Sequence, residues 1–346
     1  MKQMKSKFTL LMGVLILTLV LAACTGGNNN EPAASPVPEQ TEAPAPTPEP
    51  TPEPTPEPTP EPSVEEASTR PEIDREGYAI ILPDQINTIV TLGPSNAEIL
   101  VALGFGDKII AADRFAADVV GLRADVPRDF GITDFDVEYI TDLMPDVIFV
   151  TGMTRAGGED DPMAPISAVG ITVIYMPISV SIAEIMEDIR FVAAVMEADE
   201  AGEAIVANMQ AEIDDIQEIA ATITETRTVY FEISPVPWMV SFGTGTFLHE
   251  MIELVGAVNI FADELGWVSV SEEQLLELNP DVILTSTDFL DDPIAEIMER
   301  PGFDALTAVQ NETIFIIDTA ASNRPTHNII IALRQIAEAV FPEYFQ

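Results

Sequence analysis

Few side chains in this chain could do covalent or metal chemistry. Its 346 residues include one cysteine, Cys24, and two histidines, His249 and His327. With Cys24 at the end of an N-terminal apolar run, no thiolate nucleophile or thiolate metal site is available in the rest of the chain. A closed zinc or manganese cage needs several His, Asp and Glu ligands converging on one ion, which two histidines do not suggest. His249 lies in an apolar helical stretch from Phe247 to Leu254 and reads as a partly buried helix residue. One histidine could still ligate a haem or corrinoid metal axially. Phosphate-binding glycine loops and a G-x-S-x-G elbow are missing, and Gly243-Thr-Gly-Thr-Phe247 lacks the third glycine of a dinucleotide fingerprint. The pairs Asp160-Asp161 and Asp291-Asp292 read as solvated loops. Neither catalysis nor a resident cofactor is expected.

Two glutamates are singled out by position. The segments Asp136-Val-Glu-Tyr-Ile-Thr-Asp-Leu-Met-Pro-Asp-Val-Ile148 and Ser271-Glu-Glu-Gln-Leu-Leu-Glu-Leu-Asn-Pro-Asp-Val-Ile283 align without a gap at an offset of 135. Each reads as an N-cap, a helix, a Pro-Asp turn and a buried strand. Glu138 and Glu273 thereby occupy equivalent points in the first turn of each helix. The helix dipole stabilises an acid there by about 0.3–1 kcal/mol, which alone could account for both. Equivalent carboxylates on two similar lobes could also present two negative posts to one partner. A second match pairs the helix ending at Gly104 and leading to Asp113 with the one ending at Gly256 and leading to Asp263. Two lobes of the same architecture follow.

The elements that would position these groups are short β-branched runs alternating with amphipathic segments. Ile89 to Leu92, Lys108 to Ala111, Val147 to Val150 and Thr172 to Tyr175 read as strands buried on both faces. Thr228 to Phe231, Val282 to Thr285 and Thr313 to Ile317 repeat the scheme. Such alternation predicts an α/β fold with mostly parallel sheets and helices on both faces. Between the halves a helical region runs from Ser181 to about Ile223, with a Ser181/Glu184 capping box and a break at Asp199 and Gly202. Its second part places Ile205, Met209, Ile213, Ile216 and Ile219 on one face. About 22 residues of helix span about 33 Å, enough to bridge two lobes.

The N-terminal region reads differently. Lys2, Lys5 and Lys7 precede an apolar run from Phe8, which ends in Leu21-Ala22-Ala23-Cys24. This is a secretory signal, and its last four residues resemble the bacterial lipobox, in which the cysteine is acylated and becomes the first mature residue. Four Thr-Pro-Glu-Pro units follow from Thr47 to Pro62, a polyproline-II tether that should not fold. The expected organisation is 1–23 signal peptide, 24–76 lipidated cysteine and disordered tether, 77–180 N-terminal lobe, 181–225 helical region and 226–346 C-terminal lobe. The protein would work outside the cytoplasm, anchored to the cell membrane by lipid. The net charge is −43, and losing the three signal lysines leaves 12 basic against 58 acidic residues. That surface repels polyphosphates, so nucleic acid is excluded as a partner.

Several motifs together resemble the helical-backbone class of substrate-binding proteins of ABC importers, which handle ferric siderophores, haem and cobalamin. They are Pro94-Ser-Asn-Ala-Glu-Ile-Leu-Val-Ala-Leu-Gly104, the two Pro-Asp-Val-Ile segments, Gly243 to Phe247 leading into Gly256-Ala-Val-Asn-Ile260, Phe303 to Val309, Arg324-Pro325 and Phe341 to Phe345. The resemblance implies two Rossmann-like lobes joined by a rigid helix, with the ligand in the cleft between them. It also implies an ABC permease dimer with its ATPase subunits as partner, docked by one glutamate per lobe, here Glu138 and Glu273. Glu98, which makes a capping box with Ser95, reads as structural. Trp267 falls where related cobalamin-type binders have a cleft tryptophan; otherwise it is a hydrophobic staple before the next helix. Arg324 resembles cleft arginines of the family, although Pro325-Thr326-His327-Asn328 lacks their second arginine. Arg114 and Arg155 follow strand ends, where open α/β sheets bind ligands. In so cation-poor a chain, arginines around one cleft would favour an acidic ligand. Trp238 and Phe115 are candidate aromatic walls, with core packing as the alternative. A surface adhesin is the rival reading.

Overall fold

The computed structural model describes residues 70–155 and 161–345. Cys24, the signal sequence and the Thr-Pro-Glu-Pro tether lie outside the described residues. The N-terminal lobe runs β1 (Ile89–Leu92), α1 (Pro94–Ala102), β2 (Ile109–Ala112), α2 (Val137–Asp142), β3 (Val147–Thr151), α3 (Ala164–Ala168) and β4 (Thr172–Met176). Two helices, α4 (Ile182–Val195) and α5 (Asp199–Ala220), lead to the second lobe. That lobe comprises β5 (Thr228–Glu232), β6 (Val240–Phe242), α6 (Phe247–Leu254), β7 (Val258–Asn259), β8 (Trp267–Ser269), α7 (Glu272–Leu278) and β9 (Val282–Thr285). It continues with α8 (Pro293–Met298), α9 (Thr307–Gln310), β10 (Ile314–Ile316), α10 (Thr319–Asn323) and α11 (Ile329–Val340).

Each lobe holds a four-stranded parallel sheet, in the order β2-β1-β3-β4 and β7-β5-β9-β10. The topology is the same in both, with β1, β2, β3 and β4 answering to β5, β7, β9 and β10. The repeat extends to atoms. Asp146, after the first Pro, accepts from the Thr88 N–H at 2.9 Å and the Thr88 hydroxyl at 3.1 Å. Asp281 does the same with Thr228, at 2.8 and 2.7 Å. Both clasps tie the amino end of one strand to the turn before its neighbour. Met144 and Asn279, the residues before these turns, share a left-handed φ of 46° and 44°. Asparagine adopts that conformation at lower cost than methionine.

Strand alternation divides the apolar side chains among three clusters. Val90, Leu92, Ile148 and Val150 face an outer core of the first lobe, and Tyr230, Ile283 and Ile314 an outer core of the second. The opposite faces, carrying Ile89, Val147 and Phe149 in one lobe and Val229, Phe231 and Leu284 in the other, share one continuous core. That core also contains Ile189 and Val192 of α4, Met209, Ile213 and Ile216 of α5, and Leu333 and Ile336 of α11. The lobes are joined by packed apolar surface as well as by covalent connection, which opposes large relative motion.

Three sequence expectations need correction. The helical break falls at Met196 to Ala198, where Glu197 takes a φ of 56°, and Gly202 lies inside α5. A Cβ on Gly202 would come 2.5 Å from the Ala193 Cβ, so glycine permits the close crossing of α4 and α5. The folded head also begins before residue 77: Arg70 donates to the Pro83 and Val195 carbonyls at 2.7 and 3.0 Å, and buried Asp74 accepts from the Tyr175 N–H. Finally, β6 and β8 form a separate two-stranded antiparallel sheet that strand-length apolar runs did not reveal.

Candidate functional site

The lobes touch at matching places. Glu98 of α1 is 6% exposed and accepts from Arg324 at 2.6 Å, from the Thr326 hydroxyl at 2.9 Å and from the Asn328 amide at 3.2 Å, all after β10. Glu250 of α6 stands at the offset of 152 that also relates Gly104 to Gly256. It accepts from the Ile182 N–H at 2.8 Å, at the start of the helix after β4. One helix of each lobe thus reaches the segment following the other lobe's last strand. The Ser95/Glu98 capping box is absent: α1 is capped by Gly93 without a side-chain bond, and the carboxylate crosses to the second lobe instead. Nothing local in the sequence marks this bond, which joins residues 226 to 230 positions apart.

Because these contacts bring together segments that leave strand carboxyl ends, those ends border the space between the lobes. Large apolar side chains stay exposed there. In the first lobe Phe115 follows β2, Met153 follows β3, and Ile178 and Val180 follow β4. In the second, Trp238 follows β5, Leu265 and Trp267 follow β7, and Phe289 follows β9. Trp238, Trp267 and Phe115 are 79%, 61% and 54% exposed, which rules out core packing for all three and a staple for Trp267. Trp267 is placed by β8, paired opposite Phe242 of β6, while Trp238 sits on the turn joining β5 to β6. The glycine of the Gly243-Thr244 turn is required: the Gly243 N–H donates to the Gly266 carbonyl at 2.8 Å, and a Cβ there would collide with the Glu264 carbonyl oxygen.

The three expected cleft arginines are already engaged. Arg324 is 14% exposed at its side chain and is held by Glu98, by Asp118 at 2.6 Å and by the Phe115 carbonyl at 3.0 Å. It is committed to the first lobe rather than open to the cleft. Arg114 pairs with Asp134 at 2.8 Å. Arg155 lies 4.5 and 4.9 Å from the Tyr78 and Tyr175 ring centres and 3.8 Å from Glu76. Burial and the hydrogen bond to Asp161 push the Tyr175 hydroxyl pKa upward, keeping it a donor. Glu76 escaped the sequence reading because it ends the stretch assigned to the tether, and Tyr78 because it stands among the first residues of the lobe, before its first apolar strand run. Buried Asp113, its carboxyl pKa raised by desolvation, accepts from the Gly93 and Phe115 N–H groups and fixes the turn that displays Phe115. Among the expected site residues, the one direct contact in the described hydrogen bonds is between Arg324 and Phe115.

Glu138 and Glu273 are exposed in the first turns of α2 and α7, capped by Asp136 and by a Ser271/Gln274 capping box. Each helix precedes a parallel strand, so its N-terminus lies at the carboxyl-end side of its sheet, the side of the rim. Among the described residues no group of three or more His, Cys, Asp and Glu gathers to hold a metal ion. His249 is buried, with Nδ1 3.3 Å from the Asn259 amide. His327 lines a pocket of about 440 Å³ beside Glu98 and Arg324. A larger hollow of about 700 Å³ is lined by helix residues such as Met186, Ile213 and Gln217, and by none of the rim aromatics.

Comparison with known proteins agrees with this arrangement. The chain is 29% identical over 276 residues to the uncharacterised ABC transporter substrate-binding lipoprotein YvrC of Bacillus subtilis, covering 79% of this chain and 86% of that one. The crystal structure of the vitamin B12-binding protein BtuF of Vibrio cholerae matches with a TM-score of 0.61 and 26% identity, over 74% of this chain and 97% of the other. A possible iron-binding (periplasmic solute-binding) protein of Staphylococcus epidermidis matches with a TM-score of 0.64 and 26% identity, over 75% and 100%. The periplasmic binding protein family, a class that binds substrates for transport and does not transform them, matches residues 89–321. With the family match spanning both sheets and the contacts between them, the chain belongs to the periplasmic binding protein family.

Proposed function

We propose that this protein is the extracytoplasmic receptor of an ABC importer, tethered through lipid on Cys24, which captures a ferric siderophore or cobalamin-type ligand between its lobes and delivers it to a membrane permease. The observation that carries this reading is the row of exposed apolar side chains on the strand carboxyl ends of both lobes, with Phe115 on one side and Trp238 and Trp267 on the other. Exposed aromatics cost solvation unless a ligand covers them, and a chelate or corrinoid offers a broad apolar face to stack against. The names of the relatives, a substrate-binding lipoprotein and a vitamin B12-binding protein, support the same ligand class and the anchor.

Glu138 and Glu273 are the proposed permease contacts. Their exposure, their equivalence under the repeat and their rim position leave both carboxylates free to meet cationic pockets on two permease subunits. The core shared by the lobes limits closure, so delivery would depend on docking rather than on wide hinge motion. In cells carrying the cognate permease, Glu138→Ala with Glu273→Ala should leave ligand affinity unchanged and reduce uptake about tenfold or more. Unchanged uptake would refute the docking assignment.

A further inference from the structure

The charge of the rim bears on ligand class, and the inference rests on the receptor reading above. Among the described residues, the expected cleft arginines Arg114, Arg155 and Arg324 are exposed or half-buried, and each faces a carboxylate: Asp134, Glu76, and both Glu98 and Asp118; half-buried Arg75, next to Glu76, is likewise held by Glu187 and Asp188. Arg123 and Arg128, also in the long segment after β2, turn away from the rim. Arg123 donates to the Ile109 carbonyl at the amino end of β2, and Arg128 donates to the Arg123 carbonyl. Arg300 is buried against Glu232 at the end of β5. The same loops carry further acids with no basic partner among the described ion pairs: Asp263 and Glu264 beside Leu265, and Asp288 and Asp291 flanking Phe289. Their sum is an apolar surface in a negative field, deepened by the net charge of the chain. A polyanionic ligand would have to displace a carboxylate from each arginine and would still meet the unpaired acids.

We infer that the cleft selects chelates or corrinoids that carry no net negative charge, and discriminates against polyanionic ones. This reverses the expectation that its arginines serve an acidic ligand. The test is an equilibrium titration of the Cys24→Ser protein with cyanocobalamin, cationic ferrioxamine B, neutral ferrichrome, hemin and a trianionic ferric tricatecholate. Tryptophan quenching and dialysis report binding at ionic strengths of about 0.01 M and about 1 M, where the screening length falls from about 30 Å to about 3 Å. At low salt the best neutral or cationic ligand should bind at least about tenfold more tightly than either anionic one. Affinity for any cation that binds should fall with salt, and affinity for any anion should rise. Asp288→Lys with Asp291→Lys, both exposed, should raise affinity for the tricatecholate about tenfold at low salt. Tightest low-salt binding of the tricatecholate or hemin would overturn the inference and leave the receptor reading standing. Binding of none of the five would overturn both.

Discussion

Replacing Glu98 by alanine would remove the acceptor that holds the two lobes together on one side. Three donors from beyond β10 converge on its carboxylate, and hydrogen bonds to a charged group are each worth about 1.5–3 kcal/mol. Arg324 would keep Asp118 and the Phe115 carbonyl, which lowers the sum. With Glu98 itself 6% exposed, the loss expected for breaking such a pair is about 3–5 kcal/mol. Glu250→Ala is the internal comparison. It removes one N–H bond, to Ile182, from a half-buried carboxylate, and should cost about 1.5 kcal/mol, the lower end for a single hydrogen bond to a charged group. Urea unfolding followed by far-UV circular dichroism, with the slope checked for constancy, gives both values. Equal losses for the two variants, or a Glu98→Ala loss below about 1 kcal/mol, would refute the unequal clasps.

Other consequences concern single positions. Gly243→Ala should destabilise the protein by about 1–3 kcal/mol, because the new Cβ meets the Glu264 and Phe261 carbonyl oxygens. The same variant should weaken ligand binding by displacing the turn that precedes Trp267, and unaltered stability would contradict this packing. Burial pushes the His327 pKa below its ordinary 6.5, with Glu98 opposing weakly, so folding favours the neutral ring. The unfolded chain then takes up the proton first. The stability this contributes is present above pH 6.5 and lost as pH falls below it, by at most about 1.4 kcal/mol per pH unit. His327→Gln should flatten that part of the stability profile, and an unchanged slope between wild type and variant would remove His327 as its source.

What was legible in the sequence was whatever depends on local pattern. Runs such as Ile89 to Leu92 and Val282 to Thr285 became the central strands because β-branched residues buried on both faces have few other uses. The Pro-Asp turns disclosed the duplication because the same short helix and strand flank each one. Trp267, Trp238 and Phe115 were identified as residues, but their exposure emerged only with the β6 and β8 pairing and the Asp113 turn, whose strands are too short to show periodicity. Glu98 illustrates the opposite limit. Its spacing from Ser95 matched a local cap, yet the three donors beyond β10 won the carboxylate, a contest between near and distant partners that spacing cannot decide. The arginines were found by position, but their charge state of affairs depended on carboxylates as remote in sequence as Glu98 from Arg324 or Glu76 from Arg155.

The proposed function has one ligand gripped by both lobes at the rim. Its most direct test is the affinity of Phe115→Ala and of Trp267→Ala, one from each lobe, for whichever chelate or corrinoid the wild-type protein binds. Both side chains are more than half exposed, so both variants should fold with stability within about 0.5 kcal/mol of wild type. Each should bind about tenfold more weakly. Wild-type affinity in both variants would place the ligand elsewhere and contradict the interlobe site.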